Sequence, residues 1–472
     1  MGHAKSLNDH EPEEEVFVEP ALAHHSPEAS QAGEVTDAVF GEVGADGPNY
    51  RSVGWVAAIV LLLKSQIGLG VLSVPSAFNT LGMAPGIIIL IVVAAITTWT
   101  GYVIGTFKLN HPEVYGIDDA GGIMFGRAGR EFLAIAFCLY WLFVSGSAML
   151  GVSIGLNAVS AHGTCTAVFV AVAAAIGLIF ASIRTLGRVS WLAWVGTICV
   201  LVSIFTLTIA TGVQDRPADA PREGPWASDW KVVGNPTFAE AMSAVASLVL
   251  AYGGLPAYFS IASEMKDPRY YTRSVLFCQG TATVVYIIIG VVVYYYCGSY
   301  VASPALGSAG VLLKKICYGL VLPGLLVTEI LYIHLTAKYV FVRALRNSKH
   351  LTSNSWVHWT SWLCCTLAVT IISYCIASGV PVFGELVSLI GALFGTLMCF
   401  HPMACMWLFD NWKPKTRTLK WYFLVSCNLF ILIGGSYLLV SGTYGAVVGI
   451  EKAYTESGGS AAWSCEDNSN SV

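Results

Sequence analysis

"KSQIGLGVLSVP", residues 64–75, lies inside an apolar run that begins at Trp55. It carries Lys64, the polar pair Ser65–Gln66, two glycines at 68 and 70, and Pro75. In lipid every backbone polar group must be satisfied within the protein, so irregular main chain at mid-membrane depth survives only around a cavity or a ligand. Ile67, Gly68, Leu69 and Gly70 therefore read as a break in a spanning helix. A second stretch, "LVLAYGGLPAYFS" at 248–260, places Gly253, Gly254 and Pro256 in the middle of a later apolar run. Glycines also serve close helix packing, and a lone proline often only kinks a helix. Two breaks at matching places, each in the first helix of a five-helix half, point instead to an inverted repeat built around one site. Free N–H groups at one half-helix end suit a carboxylate, and free carbonyls at the other suit a cation or an ammonium.

Composition agrees with a lipid solvent. Hydrophobic residues make up 55% of the 472 and charged residues 11%, with mean hydropathy +0.66. A soluble domain carries about 25% charged residues. In the first 50 residues the acids from Asp9 to Asp46 stand against one lysine or arginine, Lys5, so 1–51 reads as a disordered acidic tail. The net charge of −4 says little about partners.

At about 20 apolar residues per crossing, eleven spans are expected. They cover 55–78, 85–107, 131–156, 166–183, 189–212, 237–263, 273–297, 312–342, 358–378, 382–408 and 419–441, with a transmembrane domain over 52–441 and a short tail over 442–472. Lysine and arginine gather in alternate loops: Lys108, Arg127 and Arg130; Arg184 and Arg188; Lys266, Arg269 and Arg273; Arg343, Arg346 and Lys349; Lys413, Lys415, Arg417 and Lys420. That face is expected to be cytoplasmic, with the N-terminus on it and the C-terminus outside.

The thirteen cysteines show no CxxC or Cys/His metal spacing. Cys165, Cys297 and Cys465 fall near the outer face, which leaves a disulfide open. No phosphate-binding loop, Ser-His-Asp set or interfacial cluster of polar catalytic residues is present, which argues against an enzyme; no cofactor, metal or nucleic-acid partner is indicated.

The run "YGGLPAYFSIASEMKDPRYYTRSV", 252–275, resembles the amino acid/auxin permease family. Its ending Glu264-Met265-Lys266-Asp267-Pro268 matches the family's sixth helix, and Gly68, Gly70, Val71, Leu72 and Pro75 match the first-helix pattern. The likeness is greatest to fungal neutral amino acid permeases of the methyltryptophan-resistance type. It implies an all-α polytopic protein of LeuT-like 5+5 inverted-repeat fold. It also implies plasma-membrane import of neutral amino acids, aliphatic or aromatic, by proton symport with alternating access. Many relatives carry Asn near the position of Lys64, where it helps bind cation or substrate, so the lysine points to protons rather than sodium. An amino-acid-sensing receptor that transports little and a vacuolar amino acid exporter remain as alternatives.

The expected substrate contacts are Ser65, Ile67, Gly68, Leu69, Gly70, Ala251, Tyr252, Gly253 and Gly254. Tyr140 joins them because the third helix of LeuT-like proteins faces the site. Ionisable groups at membrane depth are functional candidates by default. Lys64 is either the coupling group or a fixed substitute for a bound cation, with Glu329 its expected partner; a static Lys64–Glu329 pair is the structural alternative. His334 and Thr336 complete the candidate coupling set, with a core histidine and a helix-packing hydroxyl as their bland readings. Lys338 is expected to snorkel to the interface. Glu385 is expected only to cap its helix.

Overall fold

The computed structural model describes residues 35–37, 41–43, 53–183, 186–221, 223–345, 348, 350, 355–380, 382–413, 417–456 and 463–469. The chain divides into Met1–Pro48 and Asn49–Val472. Of the first unit, the description covers a short antiparallel hairpin, β1 (Val35–Asp37) and β2 (Gly41–Val43), with Val35 opposite Val43. The rest of the expected acidic tail lies outside the described residues.

The second unit is helical. Its first half contains α1 (Trp55–Gln66), α2 (Val74–Leu81), α3 (Met83–Asn110), α4 (Ile117–Ser160), α5 (Thr166–Ala181) and α6 (Leu186–Val213). The second half contains α7 (Phe238–Ala251), α8 (Tyr258–Glu264), α9 (Tyr271–Cys297), α10 (Val311–Ala344), α11 (Trp356–Gly379), α12 (Phe383–Leu389), α13 (Thr396–Cys399) and α14 (His401–Asn411), followed by α15 (Leu419–Glu456). Among the described residues, nine helical segments are long and apolar enough to cross a membrane. The pair α1/α2, bent by 42° at its break, makes a tenth. The expected span at 166–183 is the 16-residue α5. At about 1.5 Å per residue it falls short of a hydrocarbon core about 30 Å thick.

Local sequence sets these boundaries. Helix α1 stops at Gln66 and α7 at Ala251 because each meets a glycine-containing stretch, and helix resumes through a 3₁₀ turn, Gly70–Ser73 and Leu255–Ala257 respectively. Pro75 sits in the first turn of α2, where its missing N–H costs nothing. Thr237 and Glu240 cap α7 reciprocally. Gly82, at φ +90°, turns α2 into α3.

Helix α10 lies at the centre of a scaffold, packed against α4, α5, α6 and α11. Small residues permit the close approach: Gly155 of α4 lies against Leu322 and Tyr318, and Gly324 of α10 against Val200 and the Gly196 carbonyl of α6. The two broken helices cross where Gly70 faces the main chain of Ala251; a Cβ at Gly70 would lie 2.5 Å from the Ala251 Cα.

Helix α15 continues beyond residue 441, where the last span is expected to end, to Glu456. Residues 463–469 then fold back over the scaffold. Cys465 is disulfide-bonded to Cys165, resolving the choice among three cysteines, and Cys297 is free. The Trp463 N–H donates to the Ser378 carbonyl (3.1 Å). Asn468 accepts from Asn157 (2.7 Å) and donates to Ser153 (3.1 Å), while Lys314 donates to the Ser469 carbonyl. This strap joins α4, α5, α10 and α11 at the face opposite the basic loops. On the same face Asp229 accepts from the Ser299 N–H (2.7 Å). Partial burial opposes its ionisation, but the hydrogen bonds from Ser299 outweigh it and hold the carboxyl below its usual range.

Candidate substrate and coupling site

The two breaks meet in a fully enclosed centre. Beside the Gly70–Ala251 crossing, Gly254 fits against Ser65 and the Gln66 side chain with no room for a Cβ. Ser65, Ile67, Leu69, Tyr140 and Tyr252 are all buried. The sequence-expected substrate residues are thus brought to one place.

At the second break most carbonyls are taken. Tyr140 of α4 donates to the Gly253 carbonyl and Tyr286 of α9 to the Ala251 carbonyl (2.8 Å). Turn bonds use the carbonyls of Val249, Leu250 and Gly254. Tyr252 points its hydroxyl to Thr283 (2.9 Å), and Gln66 reaches across from α1 to the Tyr258 hydroxyl (2.7 Å). Tyr140 therefore contacts the break itself rather than open space.

Both breaks leave donors at the entry to their second half-helix. Among the described residues, the N–H groups of Gly68 and Leu69 make no main-chain hydrogen bond before the Gly70–Leu81 half-helix, and neither does that of Gly254 before Leu255. Such an end is a ready anion seat. The Ser65 carbonyl accepts from Tyr332 of α10 (3.0 Å). One turn before the glycines, Lys64 is wholly buried, and its ammonium donates to the Gly324 carbonyl (3.0 Å) and the Thr328 hydroxyl (2.6 Å), both on α10. Gly196 of α6 leaves the space through which the lysine stem passes.

The expected Lys64–Glu329 pair does not form. Thr328 and Glu329 are adjacent on α10 and point about 100° apart. Thr328 meets the lysine, whereas Glu329 turns to α5, where its carboxyl lies against Gly177. Thr336 stands two turns further along, with its hydroxyl bonded to the Tyr332 carbonyl of its own helix (2.8 Å). The hydroxyl beneath the break is that of Thr328. His334 places Nδ1 3.2 Å from the Ala181 carbonyl, with its ring edge-on to Trp362, also away from Lys64. Glu385 lies in the first turn of α12 and accepts from Ser243 of α7 (3.2 Å).

At the basic face, Lys338 does not extend freely to the interface. Its ammonium lies 3.6 Å from the Glu264 carboxylate at the end of α8. Val53 pairs its backbone with Glu264 (3.0 Å) and Lys266 (2.9 Å), so the start of α1 is zipped to the end of α8. Arg343 meets Asp118 (3.6 Å) and Glu131. Gly324, Thr328, Tyr332 and Tyr286 are site residues that sequence reasoning missed. The Gly-x-x-x-Thr spacing at 324–328 was visible, but nothing in it showed which helix it would face.

This geometry has relatives. Residues 51–448 match the family model described as transmembrane amino acid transporter protein. The chain belongs to that family. It is 35% identical to a transmembrane transporter of Gibberella moniliformis, covering 92% of this chain and 91% of that one. It is 32% identical to the N amino acid transport system protein of Neurospora crassa, covering 88% and 89%. A shorter match, 27% identical over 48% of this chain and 52% of the other, is to amino acid transporter AVT1H of Arabidopsis thaliana. Among solved structures it resembles a Na+-coupled sialic acid symporter in its substrate-bound outward-open state, at TM-score 0.53 and 12% identity, covering 85% of this chain and 91% of that one. It also resembles the nucleobase-cation-symport-1 family transporter Mhp1 in a closed conformation, at TM-score 0.53 and 12% identity, covering 90% and 97%. These are LeuT-fold transporters, and the chain has that fold. It is a multi-pass membrane transporter of amino acids rather than an enzyme.

Proposed function

We propose that this transporter imports neutral amino acids by proton symport, alternating access around the two breaks, with Lys64 as a standing cation beneath the first. The observation that carries the reading is the bonding of the Lys64 ammonium to the Gly324 carbonyl and Thr328 hydroxyl. These are oxygen ligands of the kind a sodium ion takes, and the lysine already fills the space among them. The substrate carboxylate takes the free N–H groups of Gly68 and Leu69. Among the described residues, Lys64 is the only ionisable Lys, Arg, His, Asp or Glu side chain placed at the two breaks, which suits a substrate whose own side chain is uncharged.

The working membrane is the plasma membrane, with the N-terminus cytoplasmic and the C-terminus outside. The crowding of lysine and arginine on one face supports this orientation. The Cys165–Cys465 bond on the other face supports it independently, because disulfides persist on the oxidising side. On this orientation the Glu264–Lys338 pair closes the cytoplasmic side.

Purified full-length protein in vesicles tests the reading. Labelled leucine should accumulate when the outside is made acidic, equally with and without sodium. Accumulation that follows a sodium gradient and ignores pH would refute it. Binding without any flux would favour the sensing receptor.

A further inference from the structure

Glu329 is wholly buried on α10, and among the described residues neither carboxyl oxygen has a hydrogen-bond partner. It faces α5, where Gly177 leaves a slot: a Cβ there would collide with the carboxyl and lie 2.9 Å from Ile333. Helix α5 contains no ionisable side chain. On α10 itself, Thr328 points away from Glu329 to hold Lys64 of α1, and Lys338 is engaged by Glu264. Along the same helix, Tyr332, three residues on, gives its hydroxyl to the Ser65 carbonyl (3.0 Å), and His334, five residues on, has an Nε2 that is likewise unpartnered among the described residues. Helix α6 carries Cys199 one turn from Gly196, the residue that lies against the Lys64 stem. Helix α11 brings Trp362 against His334, and no ionised group. From α4, Trp141 stacks on Tyr332 (ring centroids 4.6 Å apart) and Gly151 lies against Leu325. That antiparallel register sets Ser145, whose buried hydroxyl is also unpartnered, at the level of Thr328 and Glu329.

A carboxyl kept only for packing would gain by bonding or by being replaced with an apolar side chain, because an unsatisfied buried polar group is costly and a bare buried charge far more so. At membrane depth such a group marks an ion or proton pathway. We infer that Glu329 is a proton-binding site of the transport cycle, distinct from Lys64, on a polar line Ser145–Glu329–His334 along the seam of α4, α5 and α10. The inference rests on the proton-symport reading above. In the closed form the site holds a carboxylic acid. When the cytoplasmic side opens, the O–H bond breaks, water takes the proton by way of His334, and a carboxylate remains; the carboxylate regains a proton from the outer side in the next cycle. Because Glu329 adjoins Thr328, its change of charge is felt at the Lys64 ammonium, and through Lys64 at the first break.

Glu329→Gln keeps the shape and removes the titration. In vesicles containing the full chain, the variant should exchange labelled leucine within about twofold of the parent, lose at least tenfold in pH-gradient-driven accumulation, and lose the pH dependence of exchange. If the variant accumulates leucine like the parent, Glu329 is not the site. If the parent itself shows no pH-driven accumulation, the symport reading fails and this inference with it. A second measurement needs no variant. Dicyclohexylcarbodiimide, which attacks protonated carboxyls in apolar surroundings, should label Glu329 of the parent, faster at low pH and with loss of uptake. Labelling of other carboxyls with Glu329 untouched would overturn the proposal, even if Glu329→Gln proves unable to fold.

Discussion

The two breaks are close in sequence pattern and unlike in structure. At the second, tyrosine hydroxyls from α4 and α9 occupy the carbonyls of Gly253 and Ala251. Unbonded main-chain N–H groups occur at both, Gly68 and Leu69 at the first and Gly254 at the second, but at the first the nearest organising group is a charge, Lys64. A break held by tyrosine hydroxyls from two neighbouring helices is stiff, and it presents a shaped wall. A break with free donors above an ammonium is where an anionic group and a cation seat meet. The difference divides the labour: the first break binds charge, and the second fixes geometry.

The largest effect should come from removing the room where they cross. Gly70→Leu drives a side chain into the Ala251 main chain. It should lower leucine affinity at least a hundredfold in protein that still elutes as a folded species. Unchanged affinity would break the comparison at its root. Lys64→Met removes two charge-assisted hydrogen bonds, each worth about 1.5–3 kcal/mol, and should weaken leucine binding by at least tenfold. Glu329→Gln should leave binding nearly intact, so the pair of variants separates seat from coupling. Tyr140→Phe leaves the Gly253 carbonyl unpaired; at about 1–3 kcal/mol for an unsatisfied buried group, affinity should fall roughly tenfold. A loss larger than that of Lys64→Met would mean that the second break, not the first, dominates binding.

Smaller effects are expected away from the centre. Lys338→Met unties α10 from the end of α8 and should raise the reactivity of a cysteine placed at Ser65 toward cytoplasmic reagents about threefold, with little change in affinity. The strap lies on the scaffold and touches neither break. Cys465→Ser should lower the midpoint of thermal unfolding by several degrees, because the bond closes a separation of 300 residues. Initial uptake rates should change less than twofold.

Much of this was legible in the sequence for physical reasons. Glycine and proline in the middle of an apolar run cannot be hidden, so both breaks and the set of residues around them were readable. Partners were not. Lys64, Glu329 and Lys338 announce themselves as costly charges in lipid, yet the residue each one meets depends on helix rotation. A single step along α10 separates Thr328, which takes the lysine, from Glu329, which does not. Glu264 was read as part of a family motif, and its bond to Lys338 spans two helices distant in sequence. The end of α15 was missed because apolar residues thin out after 441 while helix continues. The disulfide was narrowed to three cysteines and then decided by the fold-back of 463–469, which no local pattern announces.

Equilibrium binding of labelled leucine to the detergent-solubilised parent, measured as sodium is raised from zero, tests the central claim most directly. With Lys64 filling the cation seat, the affinity should be the same at every sodium concentration, and Lys64→Met should bind at least tenfold more weakly in the absence of sodium. Parental binding that tightens as sodium is added, or a Lys64→Met variant that binds like the parent, would contradict it.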